Sequence, residues 1–142
     1  MQLPNVAMIV EESVHYSILD KEAQLEWLYN SPPGTGSVRL GAENRTFFVS
    51  MFHELHCLRG LRASLAGDEG IFDSSHMHHC FNYLRQLILC QADLTLEPGD
   101  FETRDLHQSL MGSTHICKDW ETIYAYLTVN WDDWMISQDR HK

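Results

Sequence analysis

The side chains best placed to do chemistry spell one five-residue pattern twice: His53-Glu54-Leu55-His56-Cys57 and His76-Met77-His78-His79-Cys80. With 9 His and 4 Cys in 142 residues, a shuffled chain would contain H-x-x-H-C about 0.02 times, so composition alone does not produce the pair. On an α-helix, residues three apart share a face with Cβ atoms roughly 5–6 Å apart. His53 with His56, and His76 with His79, can therefore each present two imidazoles to a single metal ion. His78 points away from that face if its segment is helical.

Cys57 and Cys80 border the same faces, so each either binds the ion or anchors its helix. If they are thiolates, the His/Cys set suits a closed structural zinc site. If they are oxidised, only imidazoles remain, and these suit copper, zinc, iron or nickel, with copper highest in intrinsic affinity. The four cysteines, Cys57, Cys80, Cys90 and Cys117, form no C-x-x-C pair. Two disulfides are expected, with Cys90 to Cys117 the favoured tie because both lie outside the His pairs. Glu54 adjoins His53, but the H-E-x-x-H spacing of zinc proteases is absent. His115 is a weaker candidate, and His15, His107 and His141 weaker still. Asp93 and Asp119 can orient a ligand histidine or cap a helix. The aromatic series from Trp120 to Trp134 reads as core before it reads as a substrate wall.

The elements that must hold these residues follow from local signals. Residues 1–15 are unperiodic and read as an extended, docked segment. Asp20 to Tyr29 predicts a short helix with an N-cap candidate, broken by Ser31-Pro32-Pro33-Gly34-Thr35-Gly36. A short extended piece follows over Ser37 to Leu40. Apolar residues at Phe48, Met51, Phe52, Leu55, Leu58, Leu61 and Leu65 predict an amphipathic helix over 47–66 that carries the first pattern. The run Gly67-Asp68-Glu69-Gly70 closes it. Asp73, Ser74 and Ser75 are caps for a second helix running to about Gln91, with Phe81, Leu84, Leu87 and Ile88 apolar. The stretch from Asp93 to Gly99 reads as a turn, the chain is irregular through Gly112, and Trp120 to Trp134 predicts a last helix docking Trp120, Tyr124, Leu127 and Trp131.

The fold expected is mainly α: one small domain over 1–142, built around a skewed helical hairpin that carries both patterns, with long irregular segments and room for a short β-hairpin. In a simple antiparallel hairpin His56 would face a residue near Tyr83 or Leu84, one to two turns beyond His79. Convergence of four imidazoles therefore demands a skewed packing or a site shared between two chains.

Charge and length narrow the function. A formal net charge of -10, with acids and bases scattered and no basic run, argues against a nucleic-acid partner. The longest apolar stretches, such as Leu84 to Cys90, fall far short of a spanning helix, and the sequence as it stands reads as a soluble polypeptide. Asn44-Arg45-Thr46 is an N-glycosylation sequon and hints at secretory passage.

Taken together, Pro33-Gly34-Thr35-Gly36-Ser37-Val38-Arg39-Leu40, Met51-Phe52-His53-Glu54-Leu55-His56-Cys57-Leu58, His76-x-x-His79-Cys80 with Tyr83-Leu84-Arg85-Gln86-x-x-x-Cys90-x-Ala92-Asp93, and His115-x-Cys117-Lys118-Asp119-Trp120 resemble the fungal UstYa family of mycotoxin-biosynthesis proteins. The likeness spans most of the chain. It implies a copper-dependent oxidase acting on a peptide or related metabolite in the lumen of the secretory pathway, with His53, His56, His76 and His79 as metal ligands and catalytic residues. The chain departs from the resemblance in lacking the transmembrane anchor with which such proteins usually begin. Three readings stay open: a copper oxidase, a non-redox cyclase of the same pathways, and a module closed by structural zinc. A homodimer or a heterodimer with a related protein is compatible with each.

Overall fold

The computed structural model describes residues 2–68, 73–97, 105, 108 and 111–140. Its elements in chain order are β1 (Asn5–Glu11), α1 (Ala23–Tyr29), a short 3-10 turn (Pro33–Gly36), β2 (Ser37–Leu40), β3 (Arg45–Phe48), α2 (Ser50–Leu65), α3 (Ser74–Gln91), β4 (Met111–Lys118) and α4 (Trp120–Asp139). The architecture is mainly α with two small two-stranded sheets, β1 with β4 and β2 with β3, both antiparallel.

Helices α3 and α4 start where side chains satisfy exposed N–H groups. Asp73 accepts from His76 N at 2.8 Å and starts α3; Asp119 accepts from Thr122 N and Thr122 Oγ1 and starts α4. At the end of α2, Gly67 adopts a φ of +80° while its N–H bonds Ser64 O and the Asp68 N–H bonds Ala63 O. The expected continuation of that stop through Glu69 and Gly70 lies outside the described residues, as do Pro98 and Gly99 of the expected turn.

Several expectations need correction. Phe47 and Phe48 are not helical: they are β3 residues paired with Val38 and Ser37, so α2 begins at Ser50. The segment 5–11, expected as merely extended, pairs with Met111–Lys118, which the sequence left unassigned. The first helix starts at Ala23 rather than Asp20, whose carboxylate instead accepts from Glu22 N. The last helix runs five residues past Trp134, to Asp139.

The core is small. Val38, Phe52 and Leu127 are buried together, with Val49, Met51, Leu55, Ile123 and Tyr124 packed around them. The buried face of α2 therefore differs from its apolar stripe: Leu58 and Leu65 are exposed, whereas Gly60, Arg62 and Ala63 are buried. Phe81 and Ile88 of α3 are also exposed, and Cys80 is its one fully buried described side chain. Of the aromatic stripe in α4, Leu127 is buried and Tyr124 meets Phe52 edge to face at 6.2 Å, but Trp120 is exposed. Trp131 and Trp134 instead lie under the Arg39 guanidinium, at 5.7 and 4.4 Å.

The Pro33–Gly36 turn is the hinge of this packing. Gly36 has a φ of +75°, and a Cβ there would sit 2.1 Å from Phe52 Cβ; at Gly34 (φ +74°) it would sit 2.2 Å from Trp131. Two glycines thus let one turn press on both α2 and α4. Gly41 shares the positive φ of +77° but has nothing within 4 Å. Gly36→Ala should therefore cost about 3 kcal/mol or more, strain plus overlap, while Gly41→Ala costs about 1 kcal/mol. Parallel urea titrations measure both, and equal losses would contradict the packing described.

Candidate metal centre

The site is assembled on the facing sides of α2 and α3. The His53 ring lies 5.7 Å from His79 and 6.3 Å from His56 between centroids, and His76 lies 6.1 Å from both His56 and His79. The four imidazoles of one chain thus stand at the corners of a quadrilateral with edges near 6 Å. His56 faces His76, about two helical turns along α3 from where a simple antiparallel pairing would put its neighbour.

Desolvation favours the neutral form of the two imidazoles on α2. Burial lowers the pKa of His53, helped by His79 and His76; burial lowers that of His56 too, followed by the Arg59 charge, His53 and His76. A neutral imidazole offers a lone pair, the form a metal requires. Among the described residues, no three His, Cys, Asp or Glu side chains stand close enough to share one ion. Rings bound at about 2 Å through nitrogen would have centroids about 5 Å apart around a tetrahedral ion, so closure asks each edge to shrink by about 1 Å, within reach of side-chain rotation. The donors fit a borderline metal in kind, and nearly in place.

The cysteines lie elsewhere. Cys57 and Cys80 are both fully buried, one from each helix, and touch each other. Burial, then the neighbouring Cys80 thiol, pushes the Cys57 thiol up to about 12, which keeps it protonated and disfavours it as a ligand. These two sulfurs anchor the helices. The expected disulfides are corrected: all four cysteines are free, because Cys90 sits exposed near the end of α3 while Cys117 is carried on β4, in register with Val6. Thiol labelling of the native protein should therefore modify Cys90 quickly and Cys57 and Cys80 only after unfolding; rapid modification of all four would refute the buried pair.

Tyr83 is the neighbour that sequence reasoning passed over as a site residue. Its ring lies 4.3 Å from His53 and 5.9 Å from His79. Its position four residues after His79 on the same helix was the available signal. Two cavities meet at the cluster: one of about 370 Å³ is lined by Thr35, Phe48, His53 and His56, and one of about 500 Å³ also reaches His56. Glu54 turns to a third hollow beside Asp93, where one carboxylate oxygen is buried without a hydrogen-bond partner and burial raises its pKa.

The remaining candidates have other work. His78 is exposed and bonds Asn82 at 2.7 Å; His15 bonds Glu26 at 2.7 Å. His107 and His141 lie outside the described residues. Asp119 is a cap. Asp93 orients His115 rather than any of the four clustered histidines, with Nδ1 to Oδ2 at 2.5 Å. The His115 bond, then the Thr95 hydroxyl and N–H, lower Asp93 to about 2. A carboxyl depressed in this way stabilises the fold fully above its ordinary pKa near 4, and that contribution is lost as pH falls towards 2. Asp93→Asn should thus lower the urea midpoint at pH 6, and the gap to the parent chain should narrow from pH 4 downward. A gap independent of pH would contradict the pairing.

The mycotoxin biosynthesis protein UstYa family model matches residues 20–130. Among characterised proteins, the UstYa family oxidase phomYb of Diaporthe leptostromiformis is 40% identical over 84 residues, covering 56% of this chain and 34% of that protein. The oxidase ustYa of Aspergillus flavus is 30% identical over 128 residues, 78% of this chain and 60% of that protein. The hydroxylase cctR of Talaromyces islandicus is 32% identical over 107 residues, 69% of this chain and 39% of that protein. The chain therefore spans between about a third and three-fifths of the length of these relatives. No solved structure matches it.

Proposed function

The chain belongs to the UstYa family of mycotoxin biosynthesis proteins, and from that premise we propose that it is an oxidase of fungal secondary metabolism whose copper ion is held by His53, His56, His76 and His79. The observation that carries the reading is the ring of four imidazoles with edges of 5.7 to 6.3 Å. Relatives named oxidase and hydroxylase support the reaction class. Copper, when bound, supplies one-electron chemistry and reactivity towards dioxygen.

What this chain adds is position. The skewed pairing of α2 and α3 sets two imidazoles against two, and burial favours the neutral, lone-pair-bearing form of His53 and His56. Tyr83 covers the His53 and His79 side of the cluster. Opposite it, the cavity bounded by Thr35 and Phe48 gives a peptide or polyketide-type metabolite an approach to His53 and His56, and the Phe48 ring offers an apolar lip against which such a body can lie. Holding the reacting bond at a fixed place beside the ion is a large part of what such a site can contribute to the rate. The burial of Cys57 and Cys80 against each other, with the Cys57 thiol pushed up to about 12, favours this His-only set over a zinc site closed by cysteine. The sequon at Asn44 stands in the exposed turn between β2 and β3, as glycosylation in a secretory lumen would require.

Reconstitution followed by elemental analysis should find copper bound in preference to zinc. His53→Ala and His79→Ala should each lose metal and cut turnover of the native metabolite at least 100-fold. Full turnover by chelated protein without dioxygen would overturn the oxidase and favour the non-redox cyclase. Zinc bound with thiolate ligation would favour the structural module.

A further inference from the structure

The larger cavity, about 500 Å³ between α1 and α2, is not used by the copper reading, yet His56 lies on its rim. Its walls are apolar: Leu25, Trp27 and Leu28 come from α1, with Gly60 and Ala63 of α2 opposite. Leu25 and Leu28 are exposed there, and the Trp27 indole is held by Nε1–H donating to Ser17 O at 3.1 Å.

Two arginines line this cavity, and they are differently employed. Arg62 is 5% exposed, donates from Nη2 to Asp20 O at 2.6 Å and lies 3.9 Å from the Asp68 carboxylate, so its charge is already spent on the fold. Arg59, one turn earlier, is half-buried, and no hydrogen bond or ion pair engages it among the described residues. In a chain with 20 acids and 10 bases, a guanidinium at a cavity with no carboxylate partner among the described residues is conspicuous by its surroundings. Its planar fork of five donors matches a carboxylate and is costly to leave idle when partly desolvated.

We propose that this cavity binds an organic anion, a carboxylate borne on an aromatic or branched aliphatic body, with the carboxylate on Arg59 and the body against Leu25, Trp27 and Leu28. The assignment deepens the oxidase reading and rests on it for direction: His56 borders both cavities, so a substrate anchored at Arg59 has its far end beside His53 and His56. Arg59 is then the specificity-determining residue, selecting for the acid over its neutral derivatives.

The test needs no metal, so it is separable from the copper question. The full chain, stripped with chelator, is titrated with 4-phenylbutyrate and with 4-phenylbutyramide while the Trp27 indole N–H signal, identified by its loss in Trp27→Phe, is followed by proton–nitrogen NMR. The acid should move that signal saturably and bind about 10-fold or more tighter than the amide, as a charge-assisted bidentate pair allows. Arg59→Gln should abolish the preference, and Arg59→Lys should keep part of it. Equal binding of acid and amide, an acid affinity untouched in Arg59→Gln, or no saturable shift with either compound overturns the proposal. Should Arg59→Gln lose its folded spectrum, the acid-to-amide comparison on the unaltered chain decides alone. Failure of the copper reading leaves these titrations unchanged, and failure of the anion preference leaves the metal content unchanged.

Discussion

The site depends on one contact: the seam where Cys57 of α2 meets Cys80 of α3, both fully buried. Each cysteine directly follows a histidine of its pattern, and successive helix residues are about 100° apart around the axis. Fixing the sulfurs face to face therefore fixes His56 and His79 on the flank of the seam, and His53 and His76 one turn away on the same flank. Thiols suit this place because they are small, bury at little cost and let two backbones approach closely. A bulkier pair would force the helices apart and widen a ring of imidazoles that already needs to close by about 1 Å.

Electrostatics work to the same end on α2. Burial, with repulsion from the other rings and, for His56, from Arg59, holds His53 and His56 below their ordinary range. On α3 the cap Asp73 interacts with His76. Where a histidine does meet a carboxylate, as His115 meets Asp93, the pair ties the exit of α3 to β4, and Ser113 Oγ donating to Leu96 O at 3.2 Å reinforces the tie. The histidine environments thus differ: burial and nearby positive groups depress His53 and His56, whereas His115 uses a countercharge to join two segments.

What was legible in the chain was mostly what is local. The caps Asp73 and Asp119, the stop at Gly67 and the breaking of structure at Pro33–Gly36 each act within a few residues, and each stands where the sequence placed it. The start of α2 was misread because Phe47 and Phe48 continue its three-and-four rhythm; tertiary pairing with Ser37 and Val38 overrides that rhythm. The leucine stripe of α2 is covered only in part, with Leu55 on the core but Leu58 and Leu65 exposed, whereas Arg62 is buried and donates to the carbonyl of Asp20. Strands β1 and β4 carried no alternation to detect: every residue of β1 is exposed, and its partner lies more than a hundred positions away. The placing of the four histidines on facing helices was legible in their spacing, but not the company of Tyr83, nor the contact between the two cysteines.

That distant pairing has a kinetic consequence. Strand β1 joins β4 through registers such as Asn5 with Lys118, whose side chains also bond at 2.7 Å, so the ribbon closes a loop of more than a hundred residues. Loop closure of that length is slow to find, while α2 and α3 are neighbours in sequence and pair with little entropy to lose. During synthesis the two histidine-bearing helices emerge and meet well before residue 118 exists. The imidazole cluster can therefore assemble before the β1–β4 ribbon closes, because it needs only the shorter of the two loops.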